Sequence, residues 1–213
     1  MGDVTFRDLM GDVTFRDLMA EIAKTCWRRE VYPPSDDSFI LVDALEKRIC
    51  EWALSPRLCL EVGCGSGFVC VSLALMLQRV GSPIWILATD VNPEAAECTL
   101  ETARAHGVAD CMDILITHFW DGVDKELMSL VNLIVFNPPY VPTPDAEMKE
   151  KGIKSAWAGG ENGRRVIDAF LGKISTLLQN ERLEILLVTI EENKPEEIIA
   201  DMKAKGHWAE TVL

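Results

Sequence analysis

From Val31 onward the chain alternates short runs that are apolar at nearly every position with longer stretches whose apolar residues recur every three or four. The short runs are RLCLEVG (57–63), PIWILATD (83–90), DILIT (113–117), LVNLIVFN (130–137) and LEILLVTI (183–190). Continuous apolar character over so few residues predicts strands buried on both faces. The longer stretches predict helices. One covers about 35–52, with Ser35 as N-cap and acids in its first turn. Others are FVCVSLALMLQRV (68–80), PEAAECTLETARAHG (93–107, opened by Pro93 and closed by Gly107), about 163–178, and PEEIIADMKAKG (195–206). A short acidic segment follows DILIT, and HWAETVL (207–213) follows the last helix. Strands alternating with amphipathic helices predict an α/β fold, a doubly wound and mostly parallel sheet covered on both faces.

Ahead of this domain, placed at 31–213, lies an extension at 1–30 in which GDVTFRDLM occurs at 2–10 and again at 11–19. Solenoid units run upward of about 20 residues, so the repeat reads as a helical or flexible extension without chemistry.

The chain has 213 residues, enough for one domain with a sizeable core, and its 48% hydrophobic and 26% charged content is ordinary for a globular protein. No apolar run approaches the roughly 20 residues of a membrane span. Its seven cysteines include no C-x-x-C pair, and several sit in apolar runs where a free thiol packs as a small hydrophobe. That pattern points to a reduced intracellular compartment, cytoplasmic or nuclear. His106, His118 and His207 are too scattered to suggest a zinc cluster, so no metal site is expected. Asp and Glu number 34 against 21 Lys and Arg, a net charge of -13. A lone chain so acidic is poorly suited to gripping a nucleic-acid backbone.

In a doubly wound sheet, ligands bind at the carboxyl ends of the strands, so the residues just after each strand carry the chemistry. After the first strand stands LEVGCGSGF, with Glu61, Gly63, Gly65 and Gly67; glycines there allow a tight turn and close backbone approach to a ligand. The third glycine of a dinucleotide fingerprint would fall on Phe68. The spacing of an acid followed by G-x-G-x-G instead resembles the cofactor loop of class I S-adenosylmethionine-dependent methyltransferases. Asp90 follows the second strand, 90 − 67 = 23 residues beyond the last glycine, where an acid bonds ribose hydroxyls. Asn92 is better placed than Asp90 to cap the next helix. After the third strand, His118 or Phe119 would flank the adenine ring.

After the fourth strand stands Asn137-Pro138-Pro139-Tyr140. The Asn137 carboxamide offers an acceptor oxygen, the prolines fix φ and lack N–H, and Tyr140 adds a flat face. The lone pair of an amide or exocyclic amine is delocalised, and no base with a pKa near 7 deprotonates it cheaply. Two fixed acceptors, the Asn137 oxygen and the Pro138 carbonyl, can hold its hydrogens and aim the nitrogen at a methyl group.

N-P-P-Y with this glycine loop resembles methyltransferases of planar nitrogen. VYPPSDDSFILVDALE (31–46) resembles the E-P-x-x-D-[ST]-F opening of HemK-type release-factor glutamine methyltransferases. AWAGGENGRRVID (156–168) resembles their G-G-x-[DN]-G segment, and VTIEENKPEEI (188–198) their compact eukaryotic and archaeal branch. The resemblance implies S-adenosyl-L-methionine as cofactor, contacted by Asp37, Ser38, Glu61, Gly63, Gly65, Gly67, Asp90, His118, Phe119 and Asn137. It implies as substrate the Gln of a Gly-Gly-Gln tip on a class I translation release factor, methylated at N5 and held by Asn137, Pro138, Pro139 and Tyr140. The catalytic residues would be Asn137, Pro138 and Tyr140. It also implies a small zinc-binding activator subunit, with DILIT as the edge it covers. The family usually has Asp at the position of His118, which implies weaker or pH-dependent cofactor binding. It usually adds one more antiparallel strand, and none follows HWAETVL here, which leaves an open sheet edge. Two alternatives to glutamine methylation stay open: methylation of adenine N6 or of lysine, and a cofactor-binding scaffold without activity.

Overall fold

The computed structural model describes residues 19–51, 58–144, 156–178, 180 and 182–213, so most of the tandem nonamer lies outside the described residues. Five strands, β1 (Leu58–Val62), β2 (Trp85–Asp90), β3 (Met112–Ile116), β4 (Leu133–Phe136) and β5 (Glu184–Leu187), form one sheet in the order β3-β2-β1-β4-β5. Every neighbouring pair is parallel. The order reverses between β1 and β4, and this switch point is where such a sheet leaves a crevice.

The helices are α1 (Asp36–Glu51), α2 (Phe68–Arg79), α3 (Pro93–Ala105), α4 (Lys125–Ser129), α5 (Arg165–Ile174) and α6 (Pro195–Ala204). Alternate residues of β1, β2, β4 and β5 feed two cores, and β3 adds Met112 and Ile114 to the first. Cys59, Ile86, Leu133 and Val135 pack with Leu45, Val71 and Leu77 from α1 and α2 on one face. Leu60, Leu87, Ile134 and Phe136 pack with Phe119, Trp120 and Phe170 on the other. Burial on both faces is why the strands read as unbroken apolar runs.

The expected elements are present, with shifted ends. β4 is four residues long against an apolar run of eight, because only 133–136 have partners on both neighbours. α5 begins at Arg165 because Asn162 and Gly163, both at positive φ, close a 3-10 turn first. The acidic segment after β3 contains α4, capped by Asp124, whose carboxylate accepts from the Glu126 and Leu127 amides. As expected, Asn92 caps α3 by accepting from the Glu94 amide.

Residues 19–31 pack across α3: Cys26 and Cys98, 72 residues apart, are joined as a disulfide, and Arg28 pairs with Glu97 and Glu101. Reading the cysteines as free thiols therefore fails for this pair. The sequence gives no sign of it, because packing alone brings the two residues together. Residues 207–213 have no regular structure, and β5 forms one border of the sheet. β3 forms the other, with Leu115 38% and Ile116 59% exposed. No helix among the described residues is long and apolar enough to cross a membrane.

Candidate active site

A cavity of about 300 Å³ opens at the carboxyl ends of β1, β2 and β4. Every site residue expected from the sequence lines it except Gly67: Asp37, Ser38, Glu61, Gly63, Gly65, Asp90, His118, Phe119 and the whole of Asn137-Pro138-Pro139-Tyr140. Segments up to about a hundred residues apart in sequence therefore meet at one place.

The β1–β2 side is a backbone cradle with two acids. Gly63, Gly65 and Gly67 all take positive φ. Gly67 packs behind the loop, where a Cβ would lie 2.8 Å from the Thr99 Cα, so its role is close contact between loop and helix. Thr99 and Thr102, three apart on the buried face of α3, donate their hydroxyls to the carbonyls of Gly65 (3.2 Å) and Ser66 (2.7 Å). Nothing in the sequence marks these two clamps, because threonines three apart are ordinary in a helix until its packing is known. The Asp90 carboxylate accepts from the Gly65 amide at 3.0 Å and the Asn92 amide at 2.8 Å. Burial raises its pKa above the usual range against the pull of those amides. The Glu61 side chain is buried and accepts from the Cys70 amide at 3.1 Å. Burial chiefly, and the charge of Asp90 in part, push its pKa up to about 8. A buried acid and a half-buried one with little positive charge beside them favour a cationic ligand, which would ionise Glu61 on binding.

His118 follows β3 at the cavity's edge, its side chain 63% exposed, with its ring centroid 4.1 Å from that of Phe119. Phe119 is buried at positive φ against Trp120, Phe136 and Phe170, offering a ring wall to a planar group.

The β4 side is built around Asn137, whose Oδ1 is buried and has no hydrogen-bond partner among the described residues. A buried acceptor without a donor costs about 1–3 kcal/mol, so the site is arranged to receive an N–H from outside the chain. The Tyr140 hydroxyl donates to Asp37 at 2.9 Å, and the Tyr32 hydroxyl reaches the same oxygen at 3.3 Å. Asp37, expected to face cofactor, thus also ties the start of α1 to the end of the N-P-P-Y segment. Burial, and then the bond to Asp37, push the Tyr140 phenol well above its ordinary pKa, so it is a donor and a packing face, not a base.

The G-G-x-N-G segment lies directly under N-P-P-Y. A Cβ on Gly159 would meet the Pro139 carbonyl at 2.7 Å, and one on Gly163 would meet the Tyr140 carbonyl at 1.8 Å. Backbone bonds from the Val141 amide to the Trp157 carbonyl (2.9 Å) and from the Gly159 amide to the Val141 carbonyl (2.8 Å) zip the two stretches together.

A family model described as the methyltransferase small domain matches residues 36–157. The chain is 47% identical to methyltransferase HEMK2 of Mus musculus over 87% of its own length and 83% of that protein. It is 31% identical to the eRF1 methyltransferase catalytic subunit mtq2 of Schizosaccharomyces pombe, over 84% of this chain and 80% of that protein. Among solved structures, a human methyltransferase 10 domain containing protein superposes with a TM-score of 0.56 at 17% identity, over 92% of this chain and 88% of that one, a likeness of fold.

Proposed function

The chain belongs to the methyltransferase small-domain family and, within it, to the HemK-type glutamine methyltransferases of the compact eukaryotic branch, and on that premise we propose how its site works. The activity is methyl transfer from S-adenosyl-L-methionine to the side-chain amide nitrogen (N5) of a glutamine. The substrate we infer is the Gln of a Gly-Gly-Gln tip on a class I translation release factor, which sets the chain to work in the cytoplasm. The single observation that carries the mechanism is the buried Asn137 Oδ1 beside Pro138, without a partner among the described residues.

When bound, the cofactor supplies a methyl group made electrophilic by its sulfonium. The glycine loop and the two acids fit such a ligand: Glu61 would face its ammonium end, Asp90 its ribose hydroxyls, and Phe119 with His118 its base. Asn137 Oδ1 and the Pro138 carbonyl would accept the two amide hydrogens, fixing the plane of the substrate amide and turning its nitrogen toward the cofactor's side of the cavity. One hydrogen of that nitrogen would pass to water as the methyl group replaces it, the donor leaving as a neutral thioether. No side chain of unusual basicity is required. Orientation in a water-poor site supplies the rate, because the competing hydrogen bonds of solvent are replaced in advance.

We further propose that a small zinc-binding activator subunit covers β3. The edge position of that strand and its exposed Leu115 and Ile116 support this, as does the term catalytic subunit in the name of the S. pombe relative.

The test is transfer from labelled cofactor, with and without the activator, to a release-factor domain bearing Gly-Gly-Gln, its Gln→Ala variant, and an adenine-containing duplex. Label on the Gln protein alone supports glutamine methylation. Label on the duplex, or on the Gln→Ala protein, overturns the substrate. Cofactor binding with no label on any of the three favours an inactive scaffold.

A further inference from the structure

Asn193 lies after β5 in the turn that leads to α6, outside the cavity and far in sequence from every residue assigned a role above. Its side chain is fully buried. Its Nδ2 donates to the Tyr140 carbonyl and to the Asn162 carbonyl, both at 2.8 Å, and its Oδ1 accepts from the Ile190 amide at 2.9 Å. One carboxamide therefore joins the end of N-P-P-Y, the tip of G-G-x-N-G and the turn after β5. Gly163 lies against the same Tyr140 carbonyl, where an added Cβ would come within 1.8 Å of its oxygen.

Geometry turns this clamp toward the reaction. Pro138 and Pro139 fix two successive φ angles, so the backbone from Asn137 to Tyr140 moves as a stiff lever. One end is continuous with β4; the other is the Tyr140 carbonyl. The Asn137 carboxamide and the Pro138 carbonyl sit between them. An error at the Tyr140 carbonyl is thus carried to both acceptors, and a displacement of about 1 Å in a positioning element costs about a hundredfold in rate.

We propose that Asn193 is a positioning residue for methyl transfer, holding the far end of the proline lever so that Asn137 and Pro138 stay aimed at the acceptor nitrogen. This rests on the glutamine-methylation reading above. The competing possibility is a buried asparagine that stabilises a turn and nothing more; that role would lower the melting temperature and leave turnover per folded molecule intact.

Two variants separate these. Asn193→Asp keeps the shape and the acceptor but sets a carboxylate oxygen against two carbonyls. Gly163→Ala keeps the asparagine but places a Cβ 1.8 Å from the Tyr140 carbonyl oxygen and 2.4 Å from the Asn193 Nδ2, wedging apart the same hydrogen bond. With the full chain in the presence of the activator subunit, kcat is measured per cofactor-binding site, beside the cofactor Kd and the Asn137 side-chain amide resonances. The expected result is a fall in kcat of about 10- to 100-fold in both variants, with Kd within about threefold and the Asn137 resonances displaced. Wild-type kcat per binding site in both variants overturns the proposal, even if both melt earlier. Should wild type itself transfer no methyl to the Gly-Gly-Gln protein, the substrate reading falls while the resonances still decide the lever: displacement in both variants sustains it, and unmoved resonances sink it.

Discussion

On the β1–β2 side of the cavity, Glu61 and Asp90 already accept backbone hydrogens and the glycine-loop carbonyls already receive the hydroxyls of Thr99 and Thr102. On the β4 side the Asn137 oxygen is buried with no donor among the described residues. The first half is a finished receptor whose remaining need is positive charge. The second is short of a hydrogen-bond donor that only the substrate brings. The methyl donor is the same kind of molecule at every turnover, so the half that receives it can be satisfied in advance within the chain. The acceptor must be selected, and a half left incomplete discriminates against anything that lacks an amide hydrogen.

The contrast can be broken most directly at Asn137. Asn137→Ala is expected to lower kcat by about 10²–10³-fold, the scale of losing one preorganised polar group, while calorimetry finds cofactor Kd within about threefold. An equal loss in Kd would mean the halves are not separate. Gly67→Ala attacks the other half. Its Cβ must enter Thr99 at a positive φ, so cofactor affinity should fall about tenfold or more, and thermal melting should come earlier by the equivalent of about 1–3 kcal/mol.

A finer probe is Glu61→Gln. The folded-state pKa of Glu61 is about 8 against an ordinary 4.5, so the cofactor-free protein carries it protonated at neutral pH. A cation ionises it, and affinity should therefore rise with pH, by up to about tenfold per unit below pH 8, then level off. The stability linkage has the opposite sign. A carboxyl with a raised folded pKa contributes fully below about pH 4.5 and loses that contribution as pH climbs to about 8. Melting scans of cofactor-free protein should fall across that window for wild type relative to the Gln variant, whose affinity profile should also be flat. Smallest is His118→Asp, which restores a carboxylate at an exposed rim position; a two- to fivefold tightening of cofactor binding, about 0.4–1 kcal/mol, with kcat unchanged, is expected.

The sheet, the order of its elements and the residues at its strand ends were legible because each is a local signal: an apolar run, a proline at a helix start, an acid before spaced glycines. What joins those residues was not. The bond from Tyr140 to Asp37 spans 103 residues, and Asn193 looks like one more polar residue in a charged turn until the structure buries it. Thr99 and Thr102 are likewise unremarkable in a helix until the glycine loop lies against them. The Cys26–Cys98 pairing depends on where the segment 19–31 runs, which periodicity does not specify.

Two adjacent prolines have a consequence for anyone watching this site move. Neither Pro138 nor Pro139 carries an amide hydrogen, so backbone hydrogen–deuterium exchange is blind to the stretch between Asn137 and Tyr140. After the Tyr140 amide, the next reporter downstream is Val141, whose amide hydrogen is spent on the Trp157 carbonyl. Tightening of the acceptor site on substrate would therefore register in exchange experiments at the zip between 141 and 157–159, one residue beyond the motif that does the holding.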